Sequence, residues 1–219
     1  MKGLPNLQQG WLGTAPRWLR VCLIIGLCVP GAALIVVRDW FGDVSTAPHF
    51  CARLAQLLFR VLILHPIGEH VGHLVLHRTA NVQHHAHHLE IKANDAGADE
   101  FEWWCYAVAA LAYATSYTRW LSLGLLQYAY FHGLSHDWPA LVPRIARHHA
   151  IHHLAPNMNQ CISFSWPDRL LFRTHLARFP PRGLKIPVRV EPMLRGGIPP
   201  CFDTERKQQR RAAAYPAEH

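Results

Sequence analysis

Ten histidines fall into four clusters with repeating internal spacing: His73-x-x-x-His77, His84-x-x-His87-His88, His132-x-x-x-His136 and His149-x-x-His152-His153. On a helix, positions i and i+4 share a face, as do i, i+3 and i+4. Each cluster, read as helical, therefore aims two or three imidazoles at one point. With 17 histidines in 219 residues, random order gives about 1.3 HxxxH pairs but only about 0.1 HxxHH triplets, and the chain has two of the latter. The triplets, not the pairs, carry the weight. Neutral imidazole is a common metal ligand and suits iron, zinc and copper. Ten such side chains exceed what one ion takes, whereas two ions with about five nitrogens each would use them all.

The rest of the chain is apolar. Only 16% of residues are charged, against roughly 25% in soluble domains. Lys2, Arg17 and Arg20 precede an uncharged run at 21–37, which Arg38 and Asp39 close. A signal peptide would share that layout, but further apolar segments follow at 51–76, 103–118 and 120–134. Pro66 is expected to kink the second. Trp103, Trp104 and Trp120 stand at segment ends, as interfacial aromatics do. The third and fourth segments are short for full spans and read as a hairpin crossing partly, or as helices that run on into the cytosol. With residues 1–20 in the cytosol, four segments return the chain there near His132. The 13 Lys and Arg after residue 140 then obey the positive-inside rule. Every histidine cluster falls on that same side.

The expected fold is therefore all-α and integral to a membrane, with about four apolar helices and a cytosolic histidine-rich dimetal cap. It is read as one domain over 1–219, with its core at 60–175 and a basic, flexible tail at 200–219. The net charge of +8 is split between the N-terminus and the region after 140, which fits a basic cytosolic face better than a nucleic-acid binder. The six cysteines, Cys22, Cys28, Cys51, Cys105, Cys161 and Cys201, form no CxxC pair and read as free thiols.

Other residues attach to the clusters. His70 lies on the face of His73 and His77 and could replace one of them as a ligand; His65 lies further back. His85 and His148 adjoin ligand clusters as supporting or alternative ligands. His49, His175 and His219 read as surface or loop residues. Glu69, Glu90, Asp95 and Asp168 are candidates to orient ligand imidazoles. Asn157 and Asn159 could bind a metal-bound water or simply shape a turn.

Taken with the apolar segments, His73/His77, His84/His87/His88, His132/His136 and His149/His152/His153 resemble the fatty acid hydroxylase and sterol desaturase superfamily. The stretches Asn157-Met158-Asn159-Gln160-Cys161 and Trp166-Pro167-Asp168-Arg169-Leu170 are similar to that family's Asn-Tyr-Gly and Trp-Asp-Arg-Leu-Phe-Gly-Thr segment. Gln160, Cys161, Pro167, Arg173 and Leu74 depart from its pattern. The resemblance covers about 60–175. It implies a four-helix membrane anchor, two iron ions held by the ten histidines, and O2-dependent attack on a lipid C–H bond. It also implies electrons from an external donor, such as a cytochrome b5 or a ferredoxin, and a bacterial inner membrane or endoplasmic reticulum as host. Zinc could replace iron in isolated protein. Ala93-Asn94-Asp95 is similar to carotenoid hydroxylases, a second option within the enzyme class. The other readings are a catalytically degenerate family member and a membrane metal-binding or transport protein. A transporter, however, would carry its ligands at the bilayer midplane, and these clusters sit at segment ends.

Overall fold

A computed structural model describes residues 17–42, 44–79, 84, 87–88, 103–114, 119–177, 186 and 190–195. Among these the chain is all-α, with no strand. Helix α1 (Arg17–Ile35) runs into a π-helical turn, Val36–Trp40. Helix α2 (Ala47–Phe59) starts on Thr46, whose hydroxyl accepts the His49 amide. A second π-helical turn, Arg60–Leu64, joins it to α3 (His65–Arg78). Then come α4 (Trp103–Ala114), α5 (Arg119–Asp137) and α6 (Pro143–Leu154). A last short helix, α7 (Glu191–Arg195), follows a π-helical turn at Pro167–Leu171.

Two of the four expected segments are long and apolar enough to cross a membrane: Trp18–Trp40, 23 residues, and Ala47–Arg78, 32 residues. Both keep most of their surface outward, as Leu34, Val37, Phe59, Leu62 and Val71 show. At 1.5 Å per residue they reach about 35 and 48 Å, against about 30 Å of hydrocarbon, so the second overshoots. Helix α4, at 12 residues, spans only about 18 Å.

Pro66 breaks the second segment differently from a simple kink. Lacking an N–H, it cannot bond the Leu62 carbonyl one turn back. That oxygen accepts the Trp166 indole N–H at 2.9 Å, and the preceding turn has π geometry. The Pro66 carbonyl in turn takes the Cys161 thiol at 3.4 Å. A chain irregularity thus becomes the attachment line for the 160–166 loop.

Helix α5 is the central element. It runs antiparallel to α1: Ile24 fills the space over Gly133, where a Cβ would stand 2.6 Å from its Cδ1, and Leu126 lies 3.2 Å from where a Gly31 Cβ would be. It runs parallel to α3, whose His65 donates to the Trp120 carbonyl at 3.1 Å and packs on Gly124. Against α4, Ser122 donates to the Ala109 carbonyl at 2.7 Å. The start of α1 and the ends of α3 and α5 therefore share one end of the bundle. There Arg20, read from sequence as a flanking charge, is buried and grips Asp137, its Nε 3.0 Å from Oδ2. All five described cysteines, Cys22, Cys28, Cys51, Cys105 and Cys161, are free.

A buried ion pair that loses one member leaves the other charge uncompensated. Arg20→Met or Asp137→Leu alone is expected to destabilise the protein by about 3–5 kcal/mol, and the double variant to recover most of it, read by thermal unfolding in detergent.

Candidate metal centre

All ten clustered histidines meet at that shared end, in two groups of five. His73, His77, His84, His88 and His152 form one; His87, His132, His136, His149 and His153 form the other. Within each group the candidate ligand atoms lie within 4.8 Å of one another. Each group contains two i, i+4 pairs from one half of the pattern and the middle histidine of the other half's triplet. His87 and His152 are thus exchanged between halves. The groups touch, with the His88 and His153 rings 4.6 Å apart.

The nitrogens within each group lie close together. In the first group Nε2 atoms approach at 3.0 Å for His73–His84, His77–His152 and His77–His84, and 3.1 Å for His88–His152. In the second they approach at 3.0 Å for His136–His149, 2.9 Å for His149–His153 and 3.2 Å for His136–His153. Metal–imidazole bonds of about 2.1 Å put neighbouring nitrogens about 3.0 Å apart at right angles, but about 3.4 Å apart at tetrahedral angles. The closest contacts are nearer the right-angle spacing, while separations within a group run up to 4.8 Å, longer than either, so five nitrogens converge on each point without fixing one coordination geometry.

Proton positions agree. His73 donates its Nδ1–H to the Gln160 carbonyl at 2.6 Å, and His152 donates to the Met158 carbonyl at 2.9 Å. Both therefore direct an Nε2 lone pair into the first group. Burial, then the neighbouring imidazoles, push His149, His152 and His153 well below the usual histidine range, and His88 is lowered by the same causes. Neutral, convergent, buried imidazoles are the donor set a divalent metal requires, and each group could hold one ion.

The loop behind the centre is clamped by two acids. Asp168, fully buried, accepts at Oδ1 from His70 (2.9 Å), Thr174 (2.7 Å) and the Gln160 amide (3.0 Å). Its Oδ2 accepts from His148 and the Cys161 amide, both at 3.0 Å. Burial would raise its pKa, but these bonds outweigh it and hold the carboxyl below its ordinary value. Glu69 accepts the Ile162 and Ser163 amides. Burial, then Glu69, pushes the Cys161 thiol up, leaving it a neutral packing group.

Several expectations change here. His70 belongs to neither group: it bonds Asp168 and stacks on Phe172 at 3.7 Å. His148 likewise turns to Asp168. Among the described acids, Glu69 and Asp168 do not orient clustered imidazoles directly; they hold backbone amides, and the Gln160 and Met158 carbonyls do the orienting. Asn157 is exposed. Asn159 is a turn residue at φ 53, with its side chain bonded to His148 and Leu176 backbone. His85, Glu90 and Asp95 lie outside the described residues. The two carbonyls escaped sequence reading because backbone groups leave no side-chain signature.

An apolar cleft of about 450 Å³ opens beside the first group, between α3 and α5. It runs from Leu64 and Trp120 past Gly68 and Gly72 to His73.

No protein-family model, no curated protein and no solved structure matches this chain.

Two measurements test the centre. His77→Ala should lower the metal bound per chain while His70→Asn, which keeps an N–H donor toward Asp168 but has no imidazole, leaves the stoichiometry unchanged, by elemental mass spectrometry. Acid should also destabilise the metal-free protein. The folded pKa values of His149, His152 and His153 lie below 6.5, so the unfolded chain binds more protons. Stability is full above about pH 6.5 and falls as pH drops below it, which unfolding midpoints across that range will show.

Proposed function

We propose that this protein is a membrane-bound dimetal oxidoreductase that hydroxylates or desaturates a lipid C–H bond with O2. The observation that carries the reading is the pair of adjoining five-histidine groups, bordered by an apolar cleft that reaches His73. A structural zinc site is closed and tetrahedral with four ligands, whereas each group here brings five imidazoles together. Iron with O2 would supply the strong oxidant that an unactivated C–H bond demands.

Hydroxylation takes O2, two electrons and two protons and yields the alcohol and one water. Desaturation takes the same and yields the alkene and two waters. An outside donor of cytochrome b5 or ferredoxin type supplies the electrons, since the sequence carries no flavin, haem or iron–sulfur signature. The chain's own part is positional. His73 and His152 are locked by loop carbonyls, the remaining imidazoles converge from α3, α5, α6 and positions 84, 87 and 88, and the cleft admits substrate from the side. Four apolar helices would set the centre at the cytosolic surface of the bilayer, where the basic segments after residue 140 also lie.

Protein purified in detergent should contain two irons per chain. His87→Ala and His152→Ala should each lower metal content and abolish lipid oxidation while the protein stays in the membrane fraction. Full activity in either variant would sink the ligand assignment. Two zincs with no oxidised product would turn the reading to a catalytically silent metal-binding protein.

A further inference from the structure

Glycine is among the poorest helix formers, so a glycine inside a helix invites a reason. At Gly31, Gly124 and Gly133 the reason is packing: an added Cβ would come within 3.2 Å of Leu126, His65 or Ile24. Gly68 and Gly72, inside α3, have nothing within 4 Å of such a Cβ. No neighbour approaches, yet both line the cleft that ends at His73. (Gly26 is also open, but on the exposed face of α1, away from the cleft.) The missing side chains leave a trough along the row Leu64, Gly68, Gly72, Leu76, all one turn apart. On α5, Trp120, Gly124 and Tyr128 form a matching row, and the two helices run parallel.

We infer that this trough holds one unbranched alkyl chain of a lipid, laid along α3, and that Gly68 and Gly72 set which chains fit. The inference rests on the lipid-oxygenase reading and narrows it. A straight chain follows a single row of positions, whereas a fused-ring sterol is wider than one row. The cleft's walls are almost entirely apolar; Glu69 is turned to the Ile162 and Ser163 amides. The polar head of the lipid therefore lies outside. Leu64 stands nine residues before His73, about 14 Å along the helix, or roughly eleven methylenes of extended chain. Gly68 stands about 7–8 Å away.

The test uses the full chain in detergent and a straight-chain fatty acid bearing a mid-chain diazirine. After photolysis, labelled peptides are mapped by mass spectrometry, and metal content is measured on the same sample. Label is expected in α3 and α5, suppressed by excess palmitic acid but not by cholesterol. Gly72→Leu has room for its side chain and a better helix former, so it should fold and keep its metal yet lose about tenfold or more of the labelling. Gly68→Leu should shift competition toward shorter fatty acids. Native labelling in Gly72→Leu, or equal competition by cholesterol, would overturn the inference. Intact labelling in a protein that binds no metal would overturn the oxygenase reading and leave the alkyl site standing.

Discussion

The Asp168 carboxylate accepts hydrogen bonds from two imidazoles, a threonine hydroxyl and two backbone amides, all in a site closed to solvent. A buried carboxylate is tolerated only with such a full set of partners. What it secures is the 158–163 backbone, with Glu69 holding the next two amides. The carbonyls of that backbone fix the tautomers of His73 and His152. The same loop is fastened to α3 along Leu62 and Pro66. The order of the first five-histidine group therefore depends on an acid that touches none of its imidazoles. His70 and His148 serve that acid.

Packing of the helices and the site's location are one fact. Close approaches at Gly31 and Gly133 seat α1 against α5, and the Arg20–Asp137 pair pins the start of one to the end of the other. His136 precedes Asp137, so the ion pair also fixes the end of α5 from which the second group hangs. Helix α6 then returns beneath it, with Ala146 and Ala150 packed on Val190 and Met193.

The sequence made the ten clustered histidines legible because i, i+4 spacing states its own geometry. It also gave away the all-α class and two stretches able to cross a membrane. The partition of the ten was not legible. Nothing in the triplets says that His87 and His152 face away from their neighbours, because that depends on how α5 and α6 meet the 84–88 segment. Arg20 looked like an end charge because Asp137 is far along the chain. Pro66 was read as a kink, whereas a distant tryptophan bonds the carbonyl one turn before it. His70 shared the right face of α3, but the stagger of the loop gave it to Asp168. The apolar cleft shows only as two glycines, which composition cannot tell from packing glycines.

The exchange of His87 and His152 has a consequence for biogenesis. Either half of the pattern, taken alone, can present four of its site's five imidazoles; the fifth comes from the other half. Neither site can be completed while the ribosome has yet to release the 149–153 segment, and the first site in particular must wait for His152. Completion of either five-histidine group is thereby a late, post-translational event that reports on the whole fold. A chain that misassembles its second half leaves the first group without His152.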